Sequence, residues 1–328
     1  MKPYLSKTKI AFCFCSIFLG VLLLFGYSQG QETKYPTRAV TNIMAFPAGN
    51  ASDLAVRLIS KEAEKFLGQP IVVVNKPGGS GTIGAAAVAT AKPDGYTVGH
   101  LGSSALFLVP YMENVPFHPL KDFRFIMQFG AFNMGVIVKA DSPHKTFKDL
   151  IAYARENPKK LTYGTNGVNS VQHIIMEIIC KREKLEMTHI PFKGGAEVQT
   201  ALLGGHVMCG VGDFNYSLVE SGVIKFVLIL RQEKSEEYPE VPTLKDLGFD
   251  FAEPAFLNVS APKNMPEGIA GKIEDAFTKA MKEPGFIDGM KNKLRLPIFH
   301  RSSKELTRYV TFNYELWGRF LKERGLVK

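Results

Sequence analysis

Gly79, Gly81 and Gly84 stand in the spacing G-x-G-x-x-G, between the β-branched run IVVV (71–74) and the alanine-rich AAAVA (85–89). Such glycines let a strand turn tightly onto a helix start and hold a pyrophosphate, given a strand that feeds them directly and an acid roughly 20 residues on. Here Lys76 and Pro77 intervene, and the nearest later acid, Asp94, lies in the turn-like KPDGY, so the spacing reads as a glycine-rich loop. Three other stretches place Gly, Ser, Thr or Asn between a strand and a helix: AFPAGNASD (45–53), HLGSSA (100–105) and YGTNGVNS (163–170). Unpaired N–H groups at a helix start attract anions. The same residue types are also the preferred N-caps, so capping is the alternative at each, whereas three such junctions together favour a ligand cleft. His100, His118, His144, His173, His189, His206 and His300 show neither H-x-x-x-H spacing nor Cys-x-x-Cys company, and no G-x-S-x-G elbow occurs. No metal site, cofactor site or nucleophile constellation is indicated.

These junctions need parallel strands with helices between them, and the chain supplies them. TNIMAF (41–46), PIVVVN (70–75) and YTVGHL (96–101) read as strands, with helices on Leu54, Leu58, Ala63 and Leu67 and on the alanine-rich segment. After FRFIMQF and GVIVKA the cycle restarts: KTFKDLIAYAREN helix, LTYGT strand, SVQHIIMEIICKR helix, THIPF strand, AEVQTALLGG helix and HVMCGV strand. This alternation predicts an α/β protein. Two amphipathic helices follow, EGIAGKIEDAFTKAMKEPG and SSKELTRYVTFNYELWGRFLKERG, the second with Ser303 as N-cap candidate. With few strands of their own to cover, they are expected to pack back on the first domain. The chain then crosses between domains near residues 130 and 255, giving one domain of 31–130 and 256–328 and another of 131–255.

Residues 1–30 carry Lys2, Lys7 and Lys9 without an acid, then an apolar run from 10 to 25, then GYSQG. That order is a secretory signal, with cleavage expected after Gly30 and Ser28 at the minus-three position. An uncleaved anchor is the alternative, because the run approaches a span's length. Cys13 and Cys15 are not placed as a lipobox cysteine would be. The net charge of +9 falls to +6 without the three leader lysines, and no Lys/Arg run marks a nucleic-acid face. Of four cysteines, Cys180 and Cys209 lie beyond the leader and read as free buried thiols, with a disulfide, which an oxidising compartment permits, as the alternative.

The blocks FPAGNASDLAVRL, LGQPIVVVNKPGGSGTIGAAAVATAKPDGYT, YGTNGVNSVQH, HIPFKGGAEVQTALLGGHV, YPEVPTLKDLGF and APKNMPEGI, in this order, resemble the periplasmic solute receptors of tripartite tricarboxylate transporters, the Bug receptors. The resemblance runs from residue 35 almost to the end. It implies a two-domain periplasmic binding protein of Venus-flytrap form that binds a small carboxylated solute between its domains and delivers it to membrane permease subunits, as a monomer. By this likeness the ligand is held by two loops: Phe46, Ala48, Gly49, Asn50 and Asp53 on the first, Gly164, Thr165, Asn166, Asn169 and Ser170 on the second. Ser103 and Ser104 at the middle junction and Asp213 at a later strand end complete the expected set. The family's first loop usually reads F-P-P-G-G-x-x-D and its second has glycine at the position of Asn169, so Ala48, Asn50 and Asn169 depart from it. Larger side chains there are expected to narrow the pocket or add amide contacts. Asp53 also reads as a helix-capping acid, His173 as structural, and Lys193 as an exposed lysine. The competing functions are a secreted enzyme using His173 or Asp213 as general base, and a receptor that signals to a partner.

Overall fold

The computed structural model describes residues 35–131, 134–214, 216–235, 237–249 and 256–327. The leader, with Cys13 and Cys15, lies outside them. From Arg38 onward the chain is one compact unit.

The first sheet holds β1 (Val40–Met44), β2 (Ile71–Asn75), β3 (Thr97–His100), β4 (Phe123–Gly130) and β10 (Leu257–Pro262), in the order β2-β1-β3-β10-β4. The second holds β5 (Gly135–Lys139), β6 (Thr162–Thr165), β7 (Thr188–Pro191), β8 (Cys209–Gly212) and β9 (Ile224–Ile229), in the order β7-β6-β8-β5-β9. In each, the first three strands are mutually parallel and the fourth position is antiparallel to both neighbours. The two sheets thus repeat one plan, each the floor of one lobe.

The chain leaves the first sheet at Gly130, enters the second at Gly135, and returns between Ile229 and Leu257. Of the expected crossings, residues 132, 133 and 250–255 lie outside the described residues. Helix α1 (Ala51–Leu67) buries Ala55, Val56, Ile59 and Ala63 and stops at Gly68, whose positive φ of 76° lets its N–H reach the Glu64 carbonyl. Against α1 packs α9 (Glu267–Ala280), which buries Ile273, Ala276, Phe277 and Ala280, and α11 (Ser303–Glu323) lies on β4. The C-terminal helices therefore do cover the first sheet. The cap of α11 is Ser302 rather than Ser303: its N–H donates to Glu305 at 2.9 Å, while the Ser303 hydroxyl donates to the Phe125 carbonyl.

The glycine-rich loop is a packing device. Gly78, Gly79 and Gly81 hold positive φ, and helix α2 (Thr82–Ala89) comes so close to β1 that a Cβ on Gly84 would stand 2.6 Å from the Ala45 Cα. Cys180 and Cys209 are free and buried, with burial pushing both thiols up to about 12.

Candidate functional site

Parallel strands deliver their following helices to one edge of each sheet, and these two edges face each other. From the first lobe come the β1–α1 loop, the glycine loop after β2, and the start of α3 (Ser103–Phe107). From the second come the loop between β6 and α6 (Val171–Glu183), and Asp213 just beyond β8.

Asn50 is the N-cap of α1: its Oδ1 accepts the Asp53 N–H at 2.8 Å. The first helical turn presents Ser52, whose hydroxyl reaches across to Asp213 Oδ2 at 2.8 Å and also lies 3.1 Å from Asn50 Oδ1. With one proton to give, it serves the shorter contact. Asp213 Oδ1 takes a longer bond, 3.4 Å, from Asn166 Nδ2. Asn50, Ser52, Asn166 and Asp213 are all buried. Burial pushes the Asp213 carboxyl up from its ordinary range, against the lowering effect of the hydrogen bonds from Ser52 and Asn166. A Cβ at residue 195 would lie 2.1 Å from the Asp213 carbonyl oxygen, so glycine alone fits beneath it. Two polar atoms of the cluster have no partner: Asn50 Nδ2 and Asn166 Oδ1.

Further bonds tie the lobes together. Ser104 Oγ accepts the N–H of Val171 at 3.0 Å, so a first-lobe side chain caps the helix start of the second lobe, the mirror image of Asp213 at α1. Ser80 Oγ donates to the Val168 carbonyl at 2.8 Å, where Gly167, with φ 126°, leaves room for it. Asn169 Nδ2 donates to Glu113 Oε1 at 2.7 Å on the rim.

The expected residues divide. Asn50, Ser104, Asn166, Ser170 and Asp213 are buried around the seam, as is Ser103 at the start of α3. Phe46 is wedged between Gly81 and Gly102, and Pro47 abuts Gly194 of the second lobe. Ala48 and Gly49 are exposed, and the Gly49 N–H is already taken by Asp53 Oδ2 at 3.0 Å. Asp53 is otherwise engaged by Arg57 and Asn75, which makes it a brace for the loop. Gly164 and Thr165 belong to strand β6 rather than to the loop. Gly164 admits no Cβ without crowding Phe192 and Val198 at 3.0 and 3.1 Å, and Thr165 Oγ1 turns to His189 Nε2 at 2.7 Å. Asn169, with φ 57°, points outward to Glu113 and so does not narrow the pocket. His173 stacks on His189 with ring centroids 4.0 Å apart, and its Nδ1 accepts the Asn169 N–H. Ser52, Ser80 and Glu113 were not singled out in the sequence; Ser52 lies inside the GNASD helix start, but nothing local says which hydroxyl crosses the cleft.

A family model described as the tripartite tricarboxylate transporter family receptor matches residues 55–326. The UPF0065 protein in the gbd 5'region of Cupriavidus necator is 33% identical over 302 residues, covering 92% of each chain. Among solved structures, the periplasmic binding protein BugD superposes with a TM-score of 0.80 at 26% identity, over 90% of this chain and 100% of that one. MatC from Rhodopseudomonas palustris, with bound malate, does so with a TM-score of 0.79 at 25% identity, over 87% and 99%. These likenesses agree with the quoted blocks and with the two-lobed α/β architecture around a cleft, and the chain belongs to the tripartite tricarboxylate transporter receptor family.

Proposed function

We propose that this protein is an extracytoplasmic receptor that closes on a small carboxylated solute and hands it to permease subunits of a tripartite tricarboxylate-type transporter. The observation that carries the reading is the seam between the lobes, where helix starts from both sides converge and two buried amide atoms, Asn50 Nδ2 and Asn166 Oδ1, are left to bind something. The malate in MatC, a relative of the same fold, supports a carboxylated solute as the ligand. An enzyme is less well supported, because His173 Nδ1 is committed to the Asn169 N–H and its ring is stacked on His189.

The proposal includes removal of residues 1–30 on export to the periplasm, a monomeric mature form, and hinged domains of 31–130 with 256–328 and 131–255. Native mass spectrometry of freshly purified mature protein tests the binding role, with a co-purified small acid as the expected result. Calorimetric titration with that acid should show stoichiometric uptake without product. Turnover of the acid would favour the enzyme. An intact leader on protein recovered from the periplasm would overturn the processing step.

A further inference from the structure

We infer that the ligand of this receptor carries, beside its carboxylate, a neutral group that both donates and accepts a hydrogen bond, a carboxamide or a hydroxyl, and that Asp213 with Asn50 and Asn166 selects it over a second carboxylate. The inference rests on the carboxylate-receptor reading and specifies the solute it would take.

The orientations of both amides are fixed by their neighbours. Asn50 must present Oδ1 to the Asp53 N–H that it caps, which leaves Nδ2 as an unpaired donor. Asn166 must present Nδ2 to the Asp213 carboxyl, which leaves Oδ1 as an unpaired acceptor. Both side chains are nearly inaccessible, at 1% and 3% exposure, so neither atom is satisfied by bulk water. Asn166 is bonded through Asp213 to Ser52 across the seam, and Asn50 Oδ1 lies 3.1 Å from the Ser52 hydroxyl.

One unpaired donor and one unpaired acceptor in a buried cluster match a group with both functions. A carboxamide gives its oxygen to Asn50 and its N–H to Asn166; a hydroxyl does the same with one atom. A carboxylate satisfies Asn50 but turns a second negative oxygen on the Asn166 carbonyl and on Asp213. Two carboxylates sharing a poorly solvated site cannot both stay ionised, so a dicarboxylate binds weakly.

Calorimetry with matched pairs of equal length tests this: succinate and succinamate, glutarate and glutaramate, adipate and adipamate, with the corresponding ω-hydroxy acids and butanoate as reference. The wild type should bind at least one monoamide or hydroxy acid about tenfold or more tightly than its dicarboxylate partner. In Asp213→Asn that preference should shrink by about tenfold, since the isosteric amide removes the repelling charge. Asn50→Gly keeps an acceptable N-cap, so it should fold normally, and it should lose several-fold more affinity for the amide-bearing acid than for butanoate. Equal or tighter binding of the dicarboxylates by the wild type overturns the inference and leaves the receptor reading intact. So does an unchanged preference in both variants. Failure of every acid in the panel to bind overturns the receptor reading and this inference with it.

Discussion

Ser52 has one proton, and the buried Asp213 carboxyl across the cleft is its shorter contact. Ser52→Ala removes a hydrogen bond to a charged group, a loss of about 1.5–3 kcal/mol that falls on the closed form alone, because the partners belong to different lobes. Ligand affinity should drop by about tenfold or more in calorimetry. The imidazole pair under the second loop sets a pH response. Burial lowers the affinity of His173 and His189 for protons, His189 to about 4, with the neighbouring ring a further cause at His189. The unfolded chain therefore binds more protons below the ordinary histidine value of 6.5. Stability is complete above that pH and drains as pH falls from 6.5 towards 4. Buried His100, also lowered to about 4, adds to the same trend. The melting temperature should fall through this window, less steeply in His189→Gln. An identical slope in that variant would remove His189 from the account.

At the scale of elements, Gly84 measures how closely α2 lies on β1. Gly84→Ala puts a methyl 2.6 Å from the Ala45 Cα, a backbone atom that cannot swing aside, and should cost about 1–3 kcal/mol, seen as a lower urea midpoint with an unchanged m-value. The parallel strands β1, β2, β3, β6, β7 and β8 and their helices were legible because apolar period and turn residues agree there. Strands β9 and β10 were not. The six residues LNVSAP of β10 are all buried, yet they include Asn258 and Ser260, which local reasoning assigns to loops. Asn258 donates to the Leu101 carbonyl at 2.8 Å, a bond that exists only once distant segments meet, and Ser260 donates to Asn258 beside it. The site divides in the same way. Its loops could be located from strand-to-helix junctions, whereas the outward turn of Asn169 and the inward turn of Thr165 depend on Glu113 and His189, far away in sequence.

For the whole molecule, closure is an equilibrium between lobes, and the bonds at the seam set its position. Small-angle scattering should show contraction when a binding acid is added. An unchanged radius at saturation would argue against hinged domains. Asn169→Gly keeps the positive φ of 57° and deletes only the clasp to Glu113. On the exposed rim that bond is worth about 0.5–1.5 kcal/mol, so ligand release in stopped-flow experiments should quicken by a few-fold, with the association rate little changed. The place of β10 between β3 and β4 has a further result. The second sheet is built from one uninterrupted stretch of chain, whereas the first lacks its fourth-position strand until β10 has been added, after every strand of the other lobe. During synthesis, or during threading through a membrane pore from the N-terminus, β3 and β4 wait with bare edges while the later lobe can already mature. The segment made first is thus finished last, and in that interval it is the natural client of a holding chaperone.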